Sequence, residues 1–562
     1  MSIAFNAKGF TGESTTAAWL SHYPACTPTH LEYPDRPVWS LLEESANQFP
    51  RRIAIRYFNE QITYEELYDK VRRAAALFQS LGVKPGDRVG ILLPNVPEYL
   101  IAAYGIWMAG GLVVSLSPMG AAVELDDLLE ATDCKLVVTL DLLAHLVTHG
   151  RHRPERLLTC SIAPRLPRLQ KLLYKIASLK ANGLSFGVPS SEFLHSVSHT
   201  GPIETPVETN SHDPAYILPT GGTTGRAKAV TLSHANLMAN ALQLKAWCGN
   251  RTGRDTFLAV IPFFHSYGLS TCVTNGIAMA ATLVLHHRFY PELTLDLIES
   301  SRPTVFPTVP AMLHVMNQHL KTAKRKRELG SLMWVISGGA PLMEETATEF
   351  AEHTGAKVVE GFGLSECSPV THAGPLDGTA RIGTIGLPLP DTEALIVDAE
   401  TGAEILEPGE VGELIIRGPQ VMLGYWNNPA ATEQILRDGW LYTGDLATQD
   451  DEGFFKIVDR KKDLIITSGF NVYPTDVEFV LKKFPEVKDA AVIGVTDPQR
   501  GEIVKAIVAV NDKSKFHLHR FEAFIKENLA HHKVPKIIEL VEGDLPRNFL
   551  GKVLRRKLRE TS

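Results

Sequence analysis

Cysteine is scarce and scattered. The six residues Cys26, Cys134, Cys160, Cys248, Cys272 and Cys367 form no Cys-x-x-Cys pair. That argues against a zinc ribbon or a thioredoxin-type site; cysteines spread in this way usually serve as small buried hydrophobes in a reducing compartment. No stretch reaches the about 18 uncharged apolar residues of a membrane span. The first residues, MSIAFNAKGFTGEST, lack the basic start and apolar run of a secretory signal, and the terminal RETS matches no address signal. A cytoplasmic protein is therefore expected. Positive charge is not in excess either: the net charge is −7, so no nucleic-acid partner is expected. No repeat of fixed period is visible.

Short apolar runs bounded by Gly and Pro are abundant. Leu136–Leu140, Ala215–Leu218, Phe257–Ile261, Ala281–Leu285, Thr304–Val309, Leu332–Ile336 and Leu414–Ile416 read as buried strands. Helical periodicity lies between many of them, as in SHANLMANALQLKAW after Thr231. This alternation predicts an α/β fold with substantial parallel sheet. The turn-rich, charged GFFKIVDRKKD marks a boundary near Asp459. Residues 1–459 would form a large part with several subdomains, and 460–562 a small α+β domain carrying the runs AAVIGV and VKAIVAV and a helix from Arg520 to Leu529.

Residues 151–180 carry Arg151, Arg153, Arg156, Arg165, Arg168, Lys171, Lys175 and Lys180 against one acid, Glu155. Leu169, Leu172, Leu173, Ile176 and Leu179 recur at helical spacing, so the segment predicts a basic amphipathic helix. The first expectation is a surface helix docked on its own domain, with its basic face in water. The alternative is a weak peripheral contact with a membrane surface through 165–180. A second cluster, Lys321 to Arg327, reads as a solvated helix end.

The densest chemical signal is Thr220-Gly221-Gly222-Thr223-Thr224-Gly225-Arg226-Ala227-Lys228, which follows a strand-like run and precedes a helix. Its glycines let backbone N–H groups approach an anion closely, and its threonine hydroxyls and Lys228 add donors. It is not a Walker A loop, since no Gly-x4-Gly-Lys-Ser/Thr fits.

This loop resembles the phosphate-binding signature of the adenylate-forming superfamily, which comprises acyl-CoA synthetases, peptide-synthetase adenylation domains and luciferases. Further signatures follow in the family's order: Gly338-Gly339-Ala340-Pro341, Gly361-Phe362-Gly363-Leu364-Ser365-Glu366, Tyr442-Thr443-Gly444-Asp445, Asp459-Arg460-Lys461-Lys462-Asp463 and Pro546-Arg547-Asn548-Phe549-Leu550-Gly551-Lys552. The resemblance spans roughly residues 40 to 560. TGGTTG, GPQVMLGYW and VDRKKDLIITSGFNVYP bring it nearest to bacterial long-chain fatty acyl-CoA ligases.

The resemblance implies an ATP-dependent ligase that makes an acyl-adenylate and then a thioester with coenzyme A. Activation brings two anions together, so cations must neutralise the developing charge. By resemblance, the Thr220–Lys228 loop would cradle the leaving phosphates. Glu366 would hold Mg²⁺, and Ser365, where the family usually has threonine, would contact the α-phosphate. Phe362 would stack on adenine between Gly361 and Gly363, with Gly339, Ala340 and Pro341 lining the same pocket. Asp445 would accept from the ribose hydroxyls, with Arg460 in support. Lys552 would bridge carboxylate and α-phosphate. Lys462 would be the hinge of a mobile C-terminal domain, and Ser468, Gly469 and Phe470 would meet CoA. His265, in PFFHSYG, would gate or position the acyl and thiol path. An aryl- or medium-chain acyl-CoA ligase, an acyl-AMP ligase loading a carrier protein, and an inactive adenylate-binding protein are the alternatives. Oligomeric state is not legible.

Overall fold

The computed structural model describes residues 18–183, 186–220, 228–323, 325–497, 500–547 and 552–560. They fall into two compact units. The larger takes in Leu20–Glu393 and Arg417–Leu441. The smaller takes in Ala394–Ile416 and the described chain from Tyr442 on, together with Ala18 and Trp19.

Two sheets organise the larger unit. Among the described residues, one has nine strands, running in space from Leu387–Pro388 through Val370–Ala373, Lys357–Gly363, Trp334–Ser337, Val305–Thr308, Thr256–Ala259, Thr282–Leu285 and Ile53–Tyr57 to Glu60–Thr63. Its middle is parallel, and antiparallel strands close both ends. The other sheet has eight strands and is parallel from Pro214–Thr220 through Leu112–Ser115, Arg88–Leu92, Leu136–Leu140 and Arg156–Cys160 to Ser190–Glu192. Strands such as Leu136–Leu140 are apolar at nearly every position because helices cover parallel sheets on both faces.

Three expectations need correction. The glycine-rich loop does not lead directly into a helix. Strand Lys228–Ser233 returns antiparallel to Pro214–Thr220, pairing Thr220 with Lys228, and only then does helix His234–Trp247 begin. A reciprocal cap starts that helix: the Asn236 N–H donates to Ser233 Oγ at 3.1 Å, and the Ser233 N–H to Asn236 Oδ1 at 2.9 Å. Nor is the 321–327 cluster simply solvated. Lys321 pairs with Glu349 at 3.0 Å, and Arg327, whose side chain is 7% exposed, pairs with Asp296 at 3.1 Å. The third correction concerns the basic segment. It forms helix Arg168–Asn182, yet the expected docking of its leucines fails: Leu169, Leu172, Leu173, Ile176 and Leu179 all face solvent. The chain entering this helix is pinned instead by Arg165, which pairs with the buried Glu98 at 2.7 Å and with Glu60 at 2.8 Å. Removing one partner of such a buried pair costs about 3–5 kcal/mol, since the other charge is stranded.

In the smaller unit, Asp489–Asp497 and Gly501–Val510 pair antiparallel over their whole length. Alternate residues serve two cores: Ala490, Val492, Val504 and Val508 pack with Phe484 and Phe521, whereas Ala491, Ile493 and Ile507 pack with Leu545 and Leu558. Burial on both faces is why AAVIGV and VKAIVAV lack polar alternation. No helix among the described residues is long and apolar enough to cross a membrane.

Candidate functional site

In the larger unit, several of the motif residues meet around one narrow cavity of about 70 Å³. Gly338 and Gly339 reach it from the end of strand Trp334–Ser337, and Gly361, Phe362 and Gly363 from the end of the neighbouring parallel strand. His265 enters from the turn before helix Ser266–Gly268. Parallel strands bring their carboxyl ends to one edge, so loops far apart in sequence converge there. Ala340 and Pro341 do not line this cavity. The rest of the wall was not foreseen: Leu244 and Trp247 of helix His234–Trp247, with Ile336, Val359, Ala373 and Leu376, make it apolar and deep. Only tertiary packing gathers these residues, and no local pattern announces them.

Two glycines are explained by close backbone approach. A Cβ at Gly363 would lie 2.1 Å from the Pro369 carbonyl oxygen, and one at Gly268 would lie 2.2 Å from that of Pro262. The glycine after Phe362 thus serves strand contact. Phe362 itself stands edge-on to His372, ring centroids 6.0 Å apart.

Burial neutralises the groups around the cavity. It pushes His265 down to about 4 and His372 down to about 3, so both imidazoles are neutral at pH 7. His265 Nδ1 accepts from the Tyr267 N–H at 3.2 Å, and the Tyr267 hydroxyl donates to the Ile336 carbonyl at 2.7 Å. Glu360, next to Gly361, is raised by burial to about 7.

Polar motif residues form a second group in the same unit. The Tyr425 hydroxyl donates to Glu366 Oε1 at 2.9 Å, and the Lys228 ammonium lies 4.7 Å from the centroid of the Tyr425 ring. Tyr425 belongs to the short strand Gly424–Tyr425, which pairs with Lys228–Ser233. The GPQVMLGYW segment held this tyrosine, but nothing local marked it as a partner of Glu366. Ser365 Oγ lies 3.2 Å from Ser266 Oγ, which joins the GFGLSE and PFFHSYG motifs. Gly221, Gly222, Thr223, Thr224 and Gly225 lie outside the described residues; Thr220 and Lys228 are the last described positions on either side. Among the described residues, no three or more metal-ligating side chains cluster.

The remaining motif residues belong to the smaller unit. Asp445 and Arg460 face each other across paired strands, with Arg460 Nε 2.7 Å from Asp445 Oδ1. Glu413 accepts from the Gly444 N–H at 3.0 Å and from Lys461 at 2.7 Å. Lys552 is pushed down to about 8, first by desolvation and then by Arg460, while Asp445 opposes the shift. Lys462, in the turn Lys461–Asp463, is also lowered, mainly by desolvation. The C-terminal basic residues are partly paired. Arg555 is held by Glu478 at 2.8 Å, Asp463 at 3.4 Å and Asp459 at 3.7 Å, and Arg559 by Asp463 at 2.8 Å. The two aspartates of Asp459-Arg460-Lys461-Lys462-Asp463 therefore anchor the helix that follows Lys552. Ser468 and Gly469, both at positive φ, turn the hairpin between Ile465–Thr467 and Phe470–Val472. Phe470 is exposed and stacks on His532 at 4.9 Å. Asn548, Phe549, Leu550 and Gly551 lie outside the described residues.

A nucleotide-type motif set beside an apolar cavity, followed by a lysine-bearing C-terminal domain, defines a class of enzyme. The AMP-binding enzyme model matches residues 42–426, and the AMP-binding enzyme C-terminal domain model matches 476–552. The chain belongs to the AMP-binding enzyme family. It is 38% identical over 551 residues to a long-chain-fatty-acid–CoA ligase of Bacillus subtilis, covering 96% of this chain and 97% of the relative. A feruloyl-CoA synthase of an Amycolatopsis species is 33% identical over 515 residues, covering 92% and 96%. Among solved structures, ATP-bound MatB from Rhodopseudomonas palustris superposes with a TM-score of 0.79 at 29% identity, covering 94% of this chain and 99% of that one.

Proposed function

We propose that this protein is an ATP-dependent carboxylic acid–CoA ligase acting on long-chain fatty acids through an acyl-adenylate, with release of AMP and pyrophosphate. The observation that carries the reading is the cavity. Its wall combines the Gly338-Gly339 and Gly361-Phe362-Gly363 motifs with Trp247, Val359, Ala373 and Leu376. A site that must hold both a nucleotide and a hydrocarbon needs that mixture of surfaces. The long-chain-fatty-acid–CoA ligase of Bacillus subtilis supports the same acid.

In this reading the Thr220–Lys228 loop cradles the β- and γ-phosphates, Phe362 stacks on adenine, and Gly339 borders it. Ser365 contacts the α-phosphate. Asp445 and Arg460 hold the ribose. Lys552 neutralises the carboxylate and the α-phosphate as they meet, which is catalysis by charge stabilisation. The donor set suits Mg²⁺: one carboxylate, Glu366, oriented by Tyr425, with phosphate and water to complete the shell. Mg²⁺ bound there supplies further charge neutralisation. Neutral His265 positions the acyl and thiol path. The segment 460–562 is the mobile lid, turning at Lys462 between the two half-reactions, and Ser468, Gly469 and Phe470 then contact CoA.

An aryl acid is the second reading. Trp247, Phe257 and Phe362 in the wall offer faces to a planar substrate, and the feruloyl-CoA synthase relative points the same way. ATP–pyrophosphate exchange over a panel of acids from short to long chain plus ferulate, repeated with CoA and thioester detection, separates them. Highest kcat/KM for long-chain acids with CoA-dependent thioester is the expected result. Preference for ferulate would reassign the acid, and exchange without thioester would remove CoA as acceptor.

A further inference from the structure

Helix Arg168–Asn182 packs on the larger unit through its polar side. Its buried residues are Tyr174 and Asn182. The Tyr174 hydroxyl donates to the Asp141 carboxylate, and the Asn182 amide donates to the Asp141 carbonyl oxygen at 2.6 Å. Lys171, Ser178 and Ala181 are half-buried beside them. At 3.6 residues per turn these five positions share one arc of about 100°. The opposite face carries Leu169, Leu172, Leu173, Ile176 and Leu179, exposed at 69%, 56%, 57%, 43% and 53%. Single exposed leucines are ordinary. Five on one face of one helix form a patch of the kind that marks an interaction site. Arg168 and Lys175 border the patch on one side and Lys180 lies within its arc near the helix C-terminus, all exposed, and no acidic residue occurs between Glu155 and Glu192.

We propose that this face docks on an anionic lipid bilayer. The helix lies in the plane of the headgroups, with its leucines toward the acyl chains and its lysines and arginine toward lipid phosphates. Charge complementarity argues for that occupant: cations flank an apolar stripe and no carboxylate is near it in sequence, which is the pattern of an interfacial helix. Size argues against a protein partner. A 15-residue helix is roughly 22 Å long and about 10 Å across, well short of the about 800 Å² per partner in a stable protein pair. A bilayer needs no matching shape. The mounting is firm, because Arg165 is locked to Glu98 and Glu60 just before the helix and Tyr174 and Asn182 hold its inner face. The proposal does not rest on the ligase reading, since it uses no residue of the candidate site.

Co-sedimentation of the full chain with phosphatidylcholine vesicles, with and without phosphatidylserine, at low and high salt, tests it. The native chain is expected to bind the phosphatidylserine vesicles about tenfold better than phosphatidylcholine alone at low salt, and to lose most of that preference at high salt. The variant L169S/L173S/I176S is expected to lose binding at both salts. R168E/K175E/K180E is expected to lose the anionic preference. All six positions are exposed, so both variants are expected to unfold at the native temperature and to keep native turnover of a water-soluble short acid. Native-like vesicle binding by either variant, or no binding by the native chain, overturns the proposal. A native dimer that L169S/L173S/I176S dissociates would give the face to a second copy and overturn it equally. Turnover is read separately from binding, so a failed ligase assay leaves the vesicle result interpretable.

Discussion

Charge is treated in opposite ways around the cavity of the larger unit and in the smaller unit. Around the cavity of the larger unit, burial removes charge: His265 and His372 are held neutral, and Glu360 keeps its proton to about pH 7. In the smaller unit, charge is kept and paired. Asp445 faces Arg460, Glu413 faces Lys461, and Arg555 sits among Asp459, Asp463 and Glu478. Desolvation penalises a lone ion, so a surface meant for hydrocarbon is cheapest when its ionisable groups are neutral. Charges that survive partial burial do so in opposed pairs and networks. The contrast teaches that one unit keeps its cavity wall free of charge while the other holds its ionisable groups as opposed pairs.

The sharpest way to break the comparison is to remove the smaller unit's lysine. Lys552→Ala is expected to slow ATP–pyrophosphate exchange by about 10³-fold, the scale of losing a charge-stabilising donor. Thioester formation from supplied acyl-AMP should stay within a few-fold of native. Equal losses in the two half-reactions would show that the lysine is not specific to adenylation. Next in size is Glu366→Ala in the larger unit. A loss of about 10²-fold in exchange, partly restored by raised Mg²⁺, is expected if this carboxylate holds the cation. Near-normal exchange would remove it from that role.

Filling the neutral cavity probes the other side of the contrast. Ala373→Phe, in its wall, is expected to lower kcat/KM for the longest acids about tenfold and to leave short acids nearly unchanged, as lost hydrocarbon burial requires. A uniform loss across the panel would mean that the acyl chain does not occupy this space. The smallest effect is a pH limb. A pKa near 8 means that Lys552 loses its proton as pH rises through that value. If the charged form is the active one, kcat/KM for adenylation should fall about threefold between pH 7.5 and 8.5. Lys552→Arg, which stays charged, should flatten that limb. An unchanged limb in the arginine variant would assign it to another group.

Much of this organisation was legible beforehand. Leu136–Leu140 is a strand with the expected bounds, because a short apolar run between breakers has few other ways to be buried. The ordered motifs identified the family. What escaped was pairwise and non-local. Tyr425 is 59 residues from its partner Glu366, and Arg555 is 77 residues from Glu478. Trp247 and Leu376 share a wall only because two distant elements meet there.

The helix Arg168–Asn182 shows the division of labour most clearly. The amino-acid sequence by itself determined that it would be a helix with one apolar face, since the leucine spacing matches 3.6 residues per turn. It also determined the family, through motifs whose residues work within a few positions of one another. The tertiary structure alone decided which way the apolar face points. That direction depends on Asp141, Glu98 and Glu60, polar partners contributed by other elements. Periodicity records that a face exists, but only the neighbours a fold supplies settle whether the apolar or the polar side is turned inward.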